Sequence, residues 1–291
     1  MPDTTHIHKA VVSLIDDGFD PQNLQHYHLS VEVNNDALAY AVLDLERNKY
    51  LLLERFMFQH AHSSEQLAQE IKQVFYQKGF RWNNFKSQSM VFFSPKFTLV
   101  PSALFDVALT QTYLDFNSPV LESEVVIAGN IKNFESHCVY AVQRDLAQTL
   151  QDLFPAAKRM HTFGPLLEIL AASFKNKSGK NVLVHLQQGH FELIVVEEQK
   201  LLFANIFDYK SAEDFLYYLL FVFEQLKINP EKTDVLLLGE VEKNSAIYSI
   251  MTKYIRNIHF GSRPEQFEYS YVFDGTARHF YYNLFSQSLC V

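Results

Sequence analysis

Hydrophobic and polar residues alternate with a period of two along two separated stretches of the chain. In residues 29–56, Leu29, Val31 and Val33 alternate with Ser30, Glu32 and Asn34. Asn34-Asn35-Asp36 supplies a turn, residues 37–43 run back, residues 46–48 turn again, and residues 50–56 make a third run. In residues 181–207, Val182, Val184 and Leu186 alternate with Leu183, His185 and Gln187. Gln188-Gly189 turns the chain, residues 191–196 return, residues 197–199 turn, and residues 201–207 close the set. Short β-branched and aromatic runs separated by polar turns predict hairpins, so each stretch reads as a three-stranded meander. Each meander is followed by a helix start: Ser63 with Gln66 fits a capping box, and Ser211 with Asp214 is its acidic variant. Each helix then gives way to an apolar strand, residues 89–93 and 234–238. Asn181 against Leu29, Ser211 against Ser63 and Asp234 against Ser89 keep a spacing of about 150 residues. An ordered series kept at one spacing predicts an internal duplication.

The remaining pattern fills in around these copies. Residues 11–15 suit a short edge strand. The first helix carries Leu67, Ile71, Val74 and Phe75 on one face, and Gly79 suits its C-terminal stop. Strands are predicted over 90–93 and 97–100, and Pro101 suits the first turn of a helix running to about residue 116. Residues 122–142 read as an inserted hairpin turned at Lys132-Asn133. A helix over 143–154 stops before Pro155; residues 158–162 make a strand and 165–174 a helix. Residues 175–180, KNKSGK, resemble a linker. These signals divide the chain into a first domain, 1–178, and a second, 179–291. Residues 212–226 are apolar on almost every side, which predicts a helix buried between the sheet and another layer; the alternative is a subunit interface. A helix over 244–254 follows. Asp274-Gly275 makes a turn, and Thr276 suits the N-cap of a final helix over 277–289 that packs back on the first domain.

Composition narrows the class. With 291 residues, a chain of ordinary domain size holds about two domains. Hydrophobic residues make up 48%, including 26 Phe and 15 Tyr, enough to build a core in each half. A formal charge of −8 argues against nucleic acid or an anionic membrane as partner. Cys138 and Cys290 offer no disulfide or metal spacing, which suits a reducing compartment. Residues 1–10 are polar and unlike a signal peptide. The longest apolar run, 215–223, is too short to span a bilayer. A cytoplasmic location without membrane insertion is the expectation.

The series β-β-β-α-β-α, present twice with an extra hairpin in the first copy, resembles the actin-like ATPase superfold of actin, Hsp70 chaperones and sugar kinases. Residues 137–202 are similar to its pilus-assembly branch, typified by PilM. FTLVPSALF (97–105), YLDFN (113–117), LFP (153–155) and the ending YYNLFSQSLCV (281–291) resemble a bacterial family known only as domain of unknown function 3822. The resemblance implies an α/β protein with the actin-like ATPase fold, made of two duplicated ribonuclease H-like domains whose mixed sheets are flanked by helices. The motifs that carry it are packing motifs, so it implies a fold rather than an activity.

In active members of that superfold each meander opens on a hydrophobic-Asp-hydrophobic-Gly pattern. The Asp holds hydrated Mg²⁺, and the Gly lets backbone N–H groups close on phosphate. Here the first copy has Glu32 and Asn34 at those places, followed by Asn35; the second has His185 and Gln187, followed by Gln188 and Gly189. Glu32 can hold a cation through water and Asn34 tolerates a left-handed backbone, but Gln187 tolerates one poorly. His185 is a poor magnesium ligand, because hard cations select oxygen. The Gly-Gly expected on the adenosine side is Gly239-Glu240, and the glycines after the third strand are replaced by Asp208-Tyr209-Lys210. Glu32, Asn34, Asn35, His185, Gln187, Gln188, Gly189, Gly239 and Glu240 are therefore the residues expected to line any interdomain ligand site. Change at every loop argues against ATP hydrolysis, and no catalytic residue is assigned.

Three His-x-His pairs, His6/His8, His26/His28 and His60/His62, could each present two imidazoles to a metal if they lay on strands. No third ligand is identifiable, so they read as strand-end or surface histidines. Neither a G-x-x-x-x-G-K-[ST] loop nor a nucleophile elbow is present. The expected function is a non-catalytic interaction or assembly scaffold that needs no cofactor, works with a protein partner and is able to form a homodimer. The alternative is an ATP-binding protein or small-molecule kinase, using ATP and Mg²⁺, with non-standard phosphate loops.

Overall fold

The computed structural model of the chain describes residues 8–58, 61, 63–174 and 178–291. The chain divides into two compact units. The first comprises residues 1–168, 266–275 and 283–291; the second comprises 169–265 and 276–282.

The first unit opens with β1 (Val12–Ile15) and then the meander β2 (Tyr27–Val33), β3 (Ala37–Asp44) and β4 (Lys49–Met57). Helix α1 (Ser64–Lys78) starts where the capping box predicts: Ser63 is extended and its hydroxyl accepts from the Gln66 N–H. It ends at Gly79, whose φ of 67° is the left-handed stop that glycine adopts without a Cβ clash. Strand β5 (Ser87–Phe92) returns parallel to β2. An inserted three-stranded sheet follows, built from β6 (Phe97–Pro101), β7 (Glu124–Ile131) and β8 (Ser136–Gln143) in the order β6-β8-β7. The short helix α2 (Thr110–Asp115) lies between β6 and β7 in sequence. Helix α3 (Arg144–Leu153), strand β9 (Lys158–His161) parallel to β5, and helix α4 (Phe163–Ser173) complete this stretch.

Tyr40, Phe75, Trp82 and Phe154 form the heart of the first unit's core. The Phe75 and Trp82 rings lie 4.7 Å apart and those of Phe75 and Phe154 4.9 Å apart, both edge to face. This cluster joins α1 to β3 and to the end of α3. Beside it, the buried Glu54 carboxylate accepts from the Ser13 hydroxyl at 2.8 Å, the Lys78 ammonium at 2.7 Å and the Tyr40 hydroxyl. A charge removed from water in this way is sustained by its cation and its hydrogen bonds.

The second unit repeats the plan with β10 (Lys180–Gln187), β11 (His190–Glu197), β12 (Lys200–Asp208), α5 (Ala212–Gln225), β13 (Asp234–Gly239), α6 (Ala246–Met251) and β14 (Asn257–Phe260). Ser211 accepts from the Asp214 N–H at 3.1 Å, and the Asp214 carboxylate reaches one residue past the N-cap to accept from the Lys210 N–H at 3.1 Å. Val184, Phe191, Leu193, Phe215, Leu219 and Leu237 make its core. The strand order is β12-β11-β10-β13-β14, with β13 and β14 parallel to β10. The first unit has the same order, β4-β3-β2-β5-β9, with β1 added antiparallel outside β4. Identical order and identical strand directions establish the duplication as a property of the fold. A two-residue strand β15 (Glu268–Tyr269) then pairs with β4, and helix α7 (Tyr282–Ser286) leads to the end of the chain.

Three sequence expectations are corrected. Residues 101–116 are not one helix: Pro101 ends β6, two 3₁₀ turns follow, and only Thr110–Asp115 is α-helical. Asp106 is extended and its carboxylate accepts from the Ala108 N–H, so it caps a new start in the middle of the predicted helix. The final helix over 277–289 is also broken: residues 277–281 precede it, α7 covers five residues, and a 3₁₀ turn, Gln287–Cys290, follows. Tyr281 at φ 55° marks the break. Helix α5 is not buried all round, because Tyr217 and Phe221 on its outer side are 64% and 47% exposed.

Candidate functional site

Several groups of the loops expected to grip a ligand are hydrogen-bonded within the protein, while Asn35, Gln188 and Gly189 are exposed. In the first unit, Glu32 is buried near the end of β2, where its register partner is Ala39. The Asn34 N–H donates to the Ala37 carbonyl at 2.9 Å and closes the turn. Neither Asn34 nor Asn35 is left-handed. The turn therefore lacks the backbone geometry that lets successive amides converge on an anion.

In the second unit, His185 and Glu192 are register partners across β10 and β11, each 1% exposed, with Nδ1 2.9 Å from Oε2. The Gln187 side-chain amide lies 3.3 Å from Nε2. With that amide donating to Nε2, the Nδ1 proton is directed at Glu192. The imidazole thus faces protein groups on both sides. Gly189 takes the left-handed φ of 83°, and Gln187 does not. Tyr209 closes over this turn: its hydroxyl donates to the Gln187 carbonyl at 2.7 Å and its N–H to the Gly189 carbonyl at 3.0 Å. Burial raises the Tyr209 phenol, so the ring stays neutral.

Gly239 has a packing reason to be glycine. At φ 85°, a Cβ there would lie 1.9 Å from the Leu186 carbonyl oxygen on the neighbouring strand. The first three amides of this loop are engaged: Gly239 N–H donates to the His279 carbonyl at 2.9 Å, Glu240 N–H to the Leu186 carbonyl at 2.7 Å, and Val241 N–H to the Gly239 carbonyl at 3.0 Å. The His279 ring returns a bond from Nε2 to the Val241 carbonyl at 2.6 Å. Burial lowers the affinity of that ring for a proton, which keeps Nε2–H as a neutral donor.

The histidine pairs meet the structure unevenly. Two pairs, His6/His8 and His60/His62, include residues outside those described. In the remaining pair, His26 is exposed and bonded to Glu46 at 2.6 Å, whereas His28 is buried with Ser87 at Nδ1 and Ser89 at Nε2. The two rings serve different neighbours. Among the described residues, no group of three or more His, Cys, Asp or Glu is placed to hold a metal. Burial pushes the Cys290 thiol up to about 12, and the Cys138 thiol is also raised, so both are protonated and unreactive.

A different feature of the first unit was not read from the sequence. A groove of about 950 Å³ runs beside β7 and is lined by Val107, Leu121, Val125, Ile127, Gln148 and Arg159. Strand β7 is the edge of the inserted sheet, so one side of its backbone is unpaired by sheet. Val107 is 78% exposed and Leu121 55% exposed. Arg144 donates to the Glu122 and Glu124 carbonyls at 3.0 and 3.1 Å and fixes the start of β7. The available signal was Val125-Val126-Ile127-Ala128, an edge strand with no polar alternation, following a segment whose apolar residues match no helical face.

The comparisons agree with the architecture. A protein from Bacteroides thetaiotaomicron, with an actin-like ATPase fold and unknown function, superposes with a TM-score of 0.76 at 21% identity. The match covers 84% of this chain and 93% of that one. The PilM–PilN type IV pilus biogenesis complex gives a TM-score of 0.55 at 13% identity over 91% of this chain and 98% of that one. No curated protein matches. Among the described residues, no helix is long and apolar enough to cross a membrane. The model of the family "Protein of unknown function (DUF3822)" matches residues 16–258. The chain therefore belongs to the DUF3822 family, proteins of unknown function whose fold here is that of the actin-like ATPases.

Proposed function

We propose that this protein is a non-catalytic assembly scaffold, and that its first unit receives an extended segment of a partner protein in the groove beside β7. The engagement of Gly239, Glu240 and Asn34 amides by protein carbonyls carries the reading, because a triphosphate needs such donors free. The His185–Glu192 contact supports it by placing a buried imidazole where a hard cation requires oxygen. The groove supplies what a scaffold requires: an unpaired strand edge for main-chain bonds and exposed apolar side chains beside it. The similar PilM structure was determined as a complex with PilN, so this fold accommodates assembly. The role needs no nucleotide, metal or nucleic acid.

Thermal denaturation with saturating Mg-ATP tests the reading. A site that bound it would be stabilised by about 2.7 kcal/mol at a hundredfold excess over Kd. The expected result is no shift. A shift of that size, abolished by Glu32→Ala, would establish the alternative of a nucleotide-binding protein or kinase. For the groove, a photo-crosslinking residue at Val107 should capture a defined partner that the same residue at Tyr76, on α1, does not. Leu121→Glu should abolish that capture without changing the melting temperature.

A further inference from the structure

The two units manage the same sheet edge in different ways. In the first, the outer strand of the meander is β4, and β1 covers it antiparallel with Val12 opposite Arg55 and Ile15 opposite Leu52. In the second, the equivalent strand is β12, and no strand among the described residues pairs with its outer edge. Long apolar edges are normally blunted by proline, by inward-pointing charge or by a covering element. KLLFANIFD has no proline, and its charges stand only at the two ends, Lys200 and Asp208.

We infer that β12 is a self-association surface, where a second copy of this chain adds its own β12 antiparallel and joins two five-stranded sheets into one of ten. Three observations select a second copy as the occupant. First, the duplicated unit shows that this edge position accepts an antiparallel strand, and a two-fold axis through β12 generates antiparallel pairing. Second, the end charges are self-complementary: with Ala204 on the axis, Lys200 of each copy comes beside Asp208 of the other. Third, backbone direction fits that centre. The Ile206 N–H turns to its neighbour's side chain, Asn205 Oδ1, at 2.9 Å, whereas the Tyr209 N–H reaches the Gly189 carbonyl, next to β11. With the period of two, Ala204, like Ile206, points its N–H and C=O outward, as a two-fold hydrogen-bonded pair requires.

The apolar surface beside the edge is continuous. Phe203 stacks on Phe207 at 6.2 Å, Phe207 on Tyr218 of α5 at 5.1 Å, and Tyr218 meets the exposed Tyr217 at 5.4 Å. An aromatic strip of this kind, lying beside an open edge, gives a second copy apolar area as well as main-chain bonds.

Sedimentation of the full chain across a concentration series tests the inference. The wild type is expected to dimerise reversibly. Ala204→Pro removes an outward N–H that the β11–β12 ladder does not use, so it should leave the circular dichroism unchanged and render the chain monomeric. K200D should weaken the dimer about tenfold by setting like charges together at both ends of the pairing, and K200D with D208K should restore it. Both charged positions are exposed, so this arm holds even if the proline variant fails to fold. A wild type that stays monomeric at every concentration overturns the inference. A dimer indifferent to K200D overturns it too, because the copies would then meet elsewhere.

Discussion

His28 shows how far a single residue's environment can depart from what its sequence neighbours suggest. Beside His26 it read as a strand-end or surface histidine, yet the ring is buried between Ser87 and Ser89, and burial lowers its pKa to about 4. Unfolded, the same ring would titrate near 6.5. Between those values the unfolded chain binds a proton that the folded chain refuses, so stability rises with pH across that window. The contribution is fully present above pH 6.5 and falls as pH drops towards 4, by about 3 kcal/mol over the interval. Equilibrium denaturation at pH 7 and pH 4.5 should show this loss. His28→Gln, which keeps hydrogen-bonding capacity without a titrating group, should flatten the slope even if it lowers stability overall. Among the nine candidate site residues, Gly239 was read by its place after the strand. Gly239 resembled a ligand glycine, and the structure makes it glycine because the Leu186 carbonyl fills the space of a Cβ. Such a contact arises between strands about 50 residues apart in sequence and leaves no local mark.

At the scale of the element, local rules read well wherever strand-forming runs were bounded by clear turn residues or a decisive cap. The meanders, the hairpin at Lys132 and the starts of α1 and α5 follow from alternation and capping, because period and cap chemistry are local quantities. Ser211→Ala removes the hydroxyl that accepts from Asp214 N–H and should cost about 1 kcal/mol in equilibrium denaturation. Ser211→Asp, which restores an acceptor next to the helix N-terminus, should recover most of it. Elements failed to appear where an internal side chain outcompeted the helix. Asp106 starts a new cap, and the Tyr113 hydroxyl accepts from the Asp106 N–H and donates to the Leu104 carbonyl, so the segment folds on itself instead of extending as one helix. Helix α5 misled in another way: nine consecutive apolar residues carry no information about which side faces water, and Tyr217 and Phe221 proved to be outside.

At the scale of the molecule, the duplication was legible because both copies kept order and spacing, and the final segment was expected to return to the first domain, but the contacts that hold it there were not legible. Residues 283–291 belong to the first unit, and 283–287 are buried in it. The Tyr50 hydroxyl donates to the Phe285 carbonyl at 2.6 Å across 235 positions of sequence, and their rings meet at 4.7 Å. Gln287 is fully buried, accepts from the Ser89 hydroxyl at 2.9 Å and donates to the Val31 carbonyl at 3.1 Å, which ties the tail to β5 and β2. Leu284 and Phe285 are themselves fully buried. Losing a large buried side chain costs about 2–5 kcal/mol, and two such losses approach the 5–15 kcal/mol that holds a typical domain together. The Val31 carbonyl would lose its Gln287 donor as well, at a cost of about 1–3 kcal/mol, while the Ser89 hydroxyl would keep its contact with His28 Nε2. Removing residues 283–291 should therefore unfold the first unit rather than loosen an end. Hydrogen exchange would read this directly: amides of β2, β3 and β5 should lose protection, while those of β10 and β11, whose Val182, Val184, Leu186, Phe191, Leu193 and Val195 pack in a cluster confined to the second unit, should keep it. Unchanged protection in β2 and β5 would show that the meander and α1 suffice to hold the first sheet, and that the tail only covers it.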